Sequence, residues 1–444
     1  MERAGWPQWI RHVGIACALC CVAIPQLASA QVGILGGNDG PALMPPPVVV
    51  DRDDPFAKPT REYQALPLGG WMLYPSLFVG GLYDSNPSQS AGKGNGSLGG
   101  RVVPSLLAEA TDGINKSTFY GTLDGRAYTA DTASTYDTIS ARTGFIQQYR
   151  PTVDWAASAQ GDFTRQRDLF STFGVDNSVS TLNTTAVGLS PTINPITYNQ
   201  YSGTASVQRT FGEMFFNLGA SAVDIVYDNA GPGAPSPDGT TYTGVGRAGL
   251  WFTPALYLYT EGSLDRRNYS TSQFNSSGYR AVGGIGSDQI GLFKGELFGG
   301  YQVEQFDFAP LGSVGSSVFG GSVYYYPLPE LTIRASINQS LGVSLLSQLP
   351  GTLGTSTKAD TALLQATYSI AKEWSASARF GYIHTSYTDV SRIDNAWTAG
   401  ATISYSVWQN LGITLDYQYV QLASTAPLQS FTRNVVTLGL TYKY

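Results

Sequence analysis

The last eleven residues read NVVTLGLTYKY (434–444). Counting back from the end, Tyr444, Tyr442, Leu440, Leu438 and Val436 share one face, and Lys443, Thr441, Gly439 and Thr437 share the other. A period of two is that of a strand with one apolar and one polar side. Terminal strands fray unless they are tied into a sheet. An apolar strand that runs to an aromatic final residue therefore needs a partner along its whole length.

Working back from that strand, the same alternation recurs as far as Trp71. TVDWAASAQGDF (152–163) sets Val153, Trp155, Ala157, Ala159, Gly161 and Phe163 against Thr152, Asp154, Ser158, Gln160 and Asp162. PALYLYTEGSLDRR (254–267) and EWSASARFGYIH (373–384) behave alike. Each repeat is about 11 to 15 residues, the length a tilted strand needs to cross a bilayer. Short links near 110–115, 150–152, 211–213, 253–254, 287–291, 327–330, 371–373 and 408–410 alternate with longer polar segments. The longer ones are 84–97, 129–136, 166–196, 228–240, 266–278, 307–314, 343–357, 387–394 and 421–431. Eight short and nine long connections predict an all-β, transmembrane, antiparallel up-and-down β-barrel of about 18 strands, with 16 retained as the other even count. In such a barrel the last strand closes on the first, because an open edge in hydrocarbon leaves backbone donors and acceptors unsatisfied. A secreted soluble β-sandwich or solenoid is the competing architecture.

The start of the chain fits export. Arg3, Arg11 and His12 precede the apolar run Val13–Ile24, and LASA ends at Ala30, so residues 1–30 read as a cleaved signal peptide. Neither Cys20 nor Cys21 has the neighbours of a lipoprotein cysteine. All three cysteines (Cys17, Cys20, Cys21) lie in this segment, which removes disulfide, thiol and cysteine–metal chemistry from the exported chain. Without Glu2, Arg3 and Arg11 the formal charge moves from −6 to −7. No basic patch favours nucleic acid as a partner. Residues 31–70 are rich in Pro and Gly and read as a periplasmic linker, or as a docking segment through PPPVVV.

The stretch YPSLFVGGLYDSNPSQS (74–90), with Tyr83, Asp84 and Asn86, followed by RVVPSLLAEA (101–110) with Pro104, resembles the opening of the putative β-barrel porin 2 family of bacterial, largely α-proteobacterial, outer-membrane barrels. Ser85 departs from that family's acidic residue. The resemblance implies a barrel over residues 71–444 in the bacterial outer membrane, in contact with its lipid. Some similar barrels accompany exopolysaccharide secretion, so it also implies a periplasmic polysaccharide-export component as a partner. By the same resemblance, Leu440, Tyr442 and Tyr444 form the signal read by the barrel-assembly machinery.

Candidate chemistry is sparse. His384 is the one histidine beyond residue 30, which excludes a histidine cluster for metal. HTS (384–386) offers a Ser–His pair, but its residues are sequence neighbours on an outer-rim strand. No enzyme and no cofactor is expected. The inward parity collects Asp124, Arg126, Arg142, Asp154, Asp162, Arg247, Glu261, Asp265, Arg267, Lys294, Glu296, Arg334, Arg379 and Asp416. These form either a mutually paired wet wall or a field that selects ions. The loop 166–196, with Asp168, Phe170, Phe173 and Asp176, is expected either to be a mobile surface loop or to fold inward as a constriction. Trp71, Tyr74, Trp251, Tyr324, Tyr326, Trp374, Trp408, Tyr417 and Tyr419 read mainly as interfacial belts, and Tyr257 and Tyr259 as candidates for stacking on sugar rings. The functional expectation is a porin-like channel for passive passage of small hydrophilic solutes. An exopolysaccharide conduit and a non-conducting structural or adhesion barrel are the other readings.

Overall fold

The computed structural model describes residues 65–88, 91, 94–130, 137–166, 197–228, 238–270, 272–343, 356–388, 391–425 and 430–444. Residues 1–64, which include the expected signal peptide, and residues 167–196 lie outside them. A short strand, β1 (Leu66–Leu68), precedes eighteen long ones. The first nine of these are β2 (Trp71–Asp84), β3 (Ser97–Thr111), β4 (Asn115–Tyr128), β5 (Thr138–Thr152), β6 (Trp155–Gln166), β7 (Tyr198–Phe211), β8 (Met214–Tyr227), β9 (Gly239–Thr253) and β10 (Leu256–Tyr269). They are followed by β11 (Ser276–Ile290), β12 (Phe293–Phe306), β13 (Ser313–Leu328), β14 (Leu331–Val343), β15 (Ser356–Ser369), β16 (Trp374–Tyr387), β17 (Ile393–Ser406), β18 (Leu411–Ser424) and β19 (Phe431–Lys443). No helix among the described residues is long and apolar enough to cross a membrane, which says nothing of crossing by strands.

Each long strand pairs antiparallel with its neighbours in sequence, and β19 pairs with β2 from Lys443↔Ser76 to Val435↔Asp84. The sheet is therefore a closed barrel of eighteen strands. One end carries the eight tight turns between long strands, the start of β2 and the end of β19, and the other carries the nine longer connections. The strands run 12 to 16 residues. Several turns sit one or two residues beyond their expected places: β5 continues through Thr152, and the turn is Val153–Asp154. Irregularities of register next to the turns, between Tyr149 and Thr152 and between Ser287 and Ile290, account for the offset.

The closing strand is held to its last residue. Tyr444 N–H donates to Pro75 O at 3.0 Å. Beyond it, β1 takes over the same edge of β2, with Leu66, Pro67 and Leu68 opposite Leu73, Met72 and Trp71. The tail of the expected linker is thus part of the sheet. The hairpin between β1 and β2 turns at Gly69, whose φ of +61° is one that a side chain disfavours.

Alternation sorts the residues radially. Leu77, Val79, Leu258, Leu264, Leu364, Phe380, Leu438 and Leu440 are exposed on the outer face. Asp84, Arg247, Glu261, Asp265, Arg267, Glu304 and Arg433 are buried on the inner one. Pro104 lacks a donor, and the β3–β4 ladder skips it, passing from Val102↔Gly125 to Ser105↔Thr122. The β13–β14 ladder covers little more than half of either strand, from Leu328↔Leu331 to Gly320↔Asn338. Past that point Gln339 and Leu341 become buried, and Gln302 on the inner face of β12 donates to Leu341 O at 3.4 Å.

Candidate functional site

The period-two pattern of β9 to β12 carries the densest set of charges to one inner surface. Arg247 lies directly opposite Glu261, and its Nη2 and Nε donate to Glu261 Oε2 at 2.6 and 2.9 Å. Its Nη1 reaches across to Glu296 Oε2 on β12 at 3.0 Å. Glu296 also accepts the hydroxyls of Tyr257 and Tyr259 at 2.9 and 2.7 Å. The guanidinium of Arg247 stands 4.1 Å from the centre of the Tyr259 ring. Arg280 approaches Glu261 at 3.9 Å and lies over Phe298. Every member of this network except Glu296 is almost fully buried, so its charges have to be matched locally.

Nearer the long-loop end, Arg267 donates to Asp265 Oδ2 at 3.1 Å and pairs with Glu304 Oε2 at 3.3 Å. Both carboxylates lie over Gly278, where a Cβ would stand 2.4 Å from Asp265 Oδ1 and 2.5 Å from Glu304 Oε2. On the other side of the barrel Asp124 is held between Arg101 at 2.9 Å and Arg126 at 2.8 Å. Arg142 pairs with Asp162 at 3.2 Å, and Tyr120 O–H donates to the same carboxylate. Arg379 pairs with Asp416 at 3.3 Å, which also accepts from Thr402 Oγ1. Arg334 lies over the Tyr324 ring. The inner charges are thus largely a mutually compensating wall.

Several expectations are corrected. Asp154 sits exposed in the β5–β6 turn, because β6 begins at Trp155, and it does not line the lumen. Lys294 keeps the inward parity expected of it and pairs with Asp288 at 3.6 Å at the short-turn end, with 44% of its side chain exposed. Trp251, Tyr324 and Tyr326 share the inward parity and do not belong to a lipid-facing belt. Trp251 packs on Phe215 and Tyr257, and Tyr324 and Tyr326 lie nearly parallel at 6.4 Å. Tyr257 and Tyr259 are only 2% and 4% exposed, and their rings fill the space over Gly286 and Gly284, so neither offers a face to a sugar. Asp168, Phe170, Phe173 and Asp176 fall outside the described residues.

Leu440 and Tyr442 lie on the outer face of β19 and Tyr444 follows it directly, each about half exposed. His384 also faces outward, and its Nδ1 and the Tyr382 hydroxyl share Asn395 Oδ1, each at 2.8 Å.

The structure adds residues that the sequence reading left out: Arg101, Arg280 and Glu304 in the networks above, and a group at the closing seam. Asp84, fully buried, accepts from Arg433 Nη2 at 2.6 Å and Nε at 3.0 Å, from Tyr128 O–H at 2.8 Å and from Asn86 N–H at 3.0 Å. Asn86 Nδ2 donates to Thr432 O at 3.3 Å, and Ser85 N–H donates to Asn434 O at 2.9 Å. The YDSN stretch therefore joins the first long strand to the last. Its signal was available, since Asp84 and Arg433 both carry inward parity and bracket the closing pair.

A family described as "Putative beta-barrel porin 2" matches residues 59–444. Among solved structures, the siderophore receptor PirA from Pseudomonas aeruginosa is similar at 9% identity over 84% of this chain and 80% of that chain, with a TM-score of 0.40. The FrpB iron transporter from Neisseria meningitidis (F5-1 variant) is similar at 10% identity over 86% and 83%, with a TM-score of 0.43. No curated protein matches the chain in sequence.

Proposed function

Because the chain belongs to the Putative beta-barrel porin 2 family and closes as an eighteen-stranded barrel, we propose that it is an outer-membrane pore for passive passage of small hydrophilic solutes. The observation that carries this reading is the radial sorting. Leucines, valines and aromatic rings are exposed outward, where lipid makes them favourable, while acids and arginines face the barrel axis. A barrel of this strand number is wide enough for an aqueous channel unless loops fill it.

Acid–base compensation along the wall favours weak discrimination between small cations and anions, since a paired ring projects little net field into the lumen. Assembly into the membrane would use the apolar outer edge of β19, with Leu440, Tyr442 and Tyr444 presented to the assembly machinery. The test is conductance of the refolded protein in planar bilayers, joined to swelling of liposomes in sugars of increasing size. Discrete current steps and size-limited swelling are expected. A heat-modifiable, fully inserted barrel that passes neither ions nor sugars would leave the structural or adhesion role in its place.

A further inference from the structure

Arg209 lies on the lipid-facing side of β7, two residues before the strand ends at the short-turn side. The register sets it directly opposite Trp155 on β6 and Phe216 on β8. Its guanidinium carbon stands 5.0 Å from the centre of the Trp155 ring and 4.3 Å from that of Phe211. Phe211 and Phe216 meet edge to face at 6.0 Å. These rings are exposed on the outer face, so the guanidinium rests on an apolar ledge. Among the described residues no carboxylate forms an ion pair with Arg209. At the opposite end of the barrel, by contrast, outward-facing Arg165 and Arg266 are matched by Asp228 and Asp307, each at 2.5 Å.

A guanidinium lying on aromatic faces is held in orientation by the ring quadrupoles and is partly stripped of water on that side. Among the described residues its planar fork of N–H donors has no hydrogen-bond partner, and such a fork suits the two oxygens of a phosphodiester. Its depth, level with an aromatic cluster at a strand end, is that of lipid headgroups. We propose that Arg209, seated on Trp155, Phe211 and Phe216, is a binding site for the phosphate of an anionic phospholipid in the leaflet around the short-turn end. The ledge holds the acyl side of the headgroup while the fork takes the charge. This inference rests on the membrane-spanning reading of the barrel and adds to it a lipid-specific contact.

The test uses the full-length folded protein in detergent, titrated with phosphatidylglycerol, phosphatidylcholine or inorganic phosphate and read by native mass spectrometry. Phosphatidylglycerol is expected to bind at least several-fold more tightly than phosphatidylcholine. Arg209→Gln should weaken phosphatidylglycerol binding about tenfold, the loss expected for one charge-assisted hydrogen bond. Arg209→Lys, which keeps the charge without the fork, should fall between, and Arg266→Gln should bind as the parent does. Equal binding of the two lipids, or no change in Arg209→Gln, would overturn the site. Displacement of the lipid by millimolar inorganic phosphate would show a free-anion site and overturn the lipid assignment. Flotation of the parent protein with liposomes reads the membrane-spanning premise separately, so failure of that premise is distinguishable from failure of the site.

Discussion

At the scale of the residue, the inner wall is shaped by glycines that accept rings. A Cβ at Gly286 would stand 2.1 Å from the Tyr257 ring and one at Gly284 2.4 Å from the Tyr259 ring, and the register sets each pair directly opposite. Seating the rings this way brings both hydroxyls to Glu296. Gly284→Ala is expected to destabilise the barrel by about 1–3 kcal/mol, the usual range for overpacking. Gly262→Ala, where nothing lies within 4 Å, should be close to neutral. Urea midpoints of the two variants in detergent, read by heat-modifiable mobility, check the contrast. A second residue-level consequence concerns Asp112 in the β3–β4 turn. Its carboxyl is held below the ordinary carboxylate range, first by the Asn115 side-chain amide and then by the Asn115 and Ile114 backbone N–H groups. A lowered folded-state value means that the turn is favoured above the ordinary carboxylate pKa of about 4, and that the gain is lost as pH falls through the lowered value. Asp112→Asn should flatten that acid-side dependence, read as the change in unfolding midpoint between neutral pH and pH 3.

At the scale of the element, parity is the property on which both lipid contact and lumen chemistry depend. Leu258→Arg puts a charge on the exposed outer face and is expected to cost about 2–4 kcal/mol in a bilayer. Ser377→Arg, on the half-buried inner face of β16, should cost much less. Ser263 also faces inward but is only 4% exposed, so it does not share that tolerance. Folding yields into liposomes across a urea series measure the difference, and equal costs would reverse the facing of these strands. The shortened β13–β14 ladder makes a different prediction: amides of Ser313–Phe319 that point toward β14 should exchange with deuterium faster than those pointing toward β12. Strand number, turn polarity and facing were legible in the sequence, because each depends on a local period and on link length. What was not legible depends on partners distant along the chain. Alternation says that Glu296 points inward, but not that Arg247, three strands away, will reach it. Trp251, Tyr324 and Tyr326 were misplaced because a position near a strand end suits a belt on either face, and for these three parity overrules position. Asp154 was misplaced because the register irregularity in β5 carries that strand two residues further than its Pro-containing link indicates.

At the scale of the whole molecule, closure is the decisive event. Deleting residues 441–444 removes the pairing of β19 with Phe78, Leu77 and Ser76 and the bond from Tyr444 to Pro75. It is expected to abolish heat-modifiable folding, measured by gel mobility and by protease resistance of the membrane fraction. Arg433→Gln keeps the backbone ladder but leaves Asp84 buried without its cation, a change of the kind that costs about 3–5 kcal/mol. It should give a barrel that forms and unfolds at much lower urea. The two variants separate the contribution of the ladder from that of the ion pair. Asp84 and Arg433 stand 349 residues apart in the chain. During synthesis the acid is made long before its partner, and no earlier strand supplies that arginine. A polypeptide released prematurely would thus display both an unsealed edge and an uncompensated carboxylate at one corner. The ion pair is in this way a lock that only the final strand can close, and a chain lacking that strand stays an open sheet rather than a sealed cylinder.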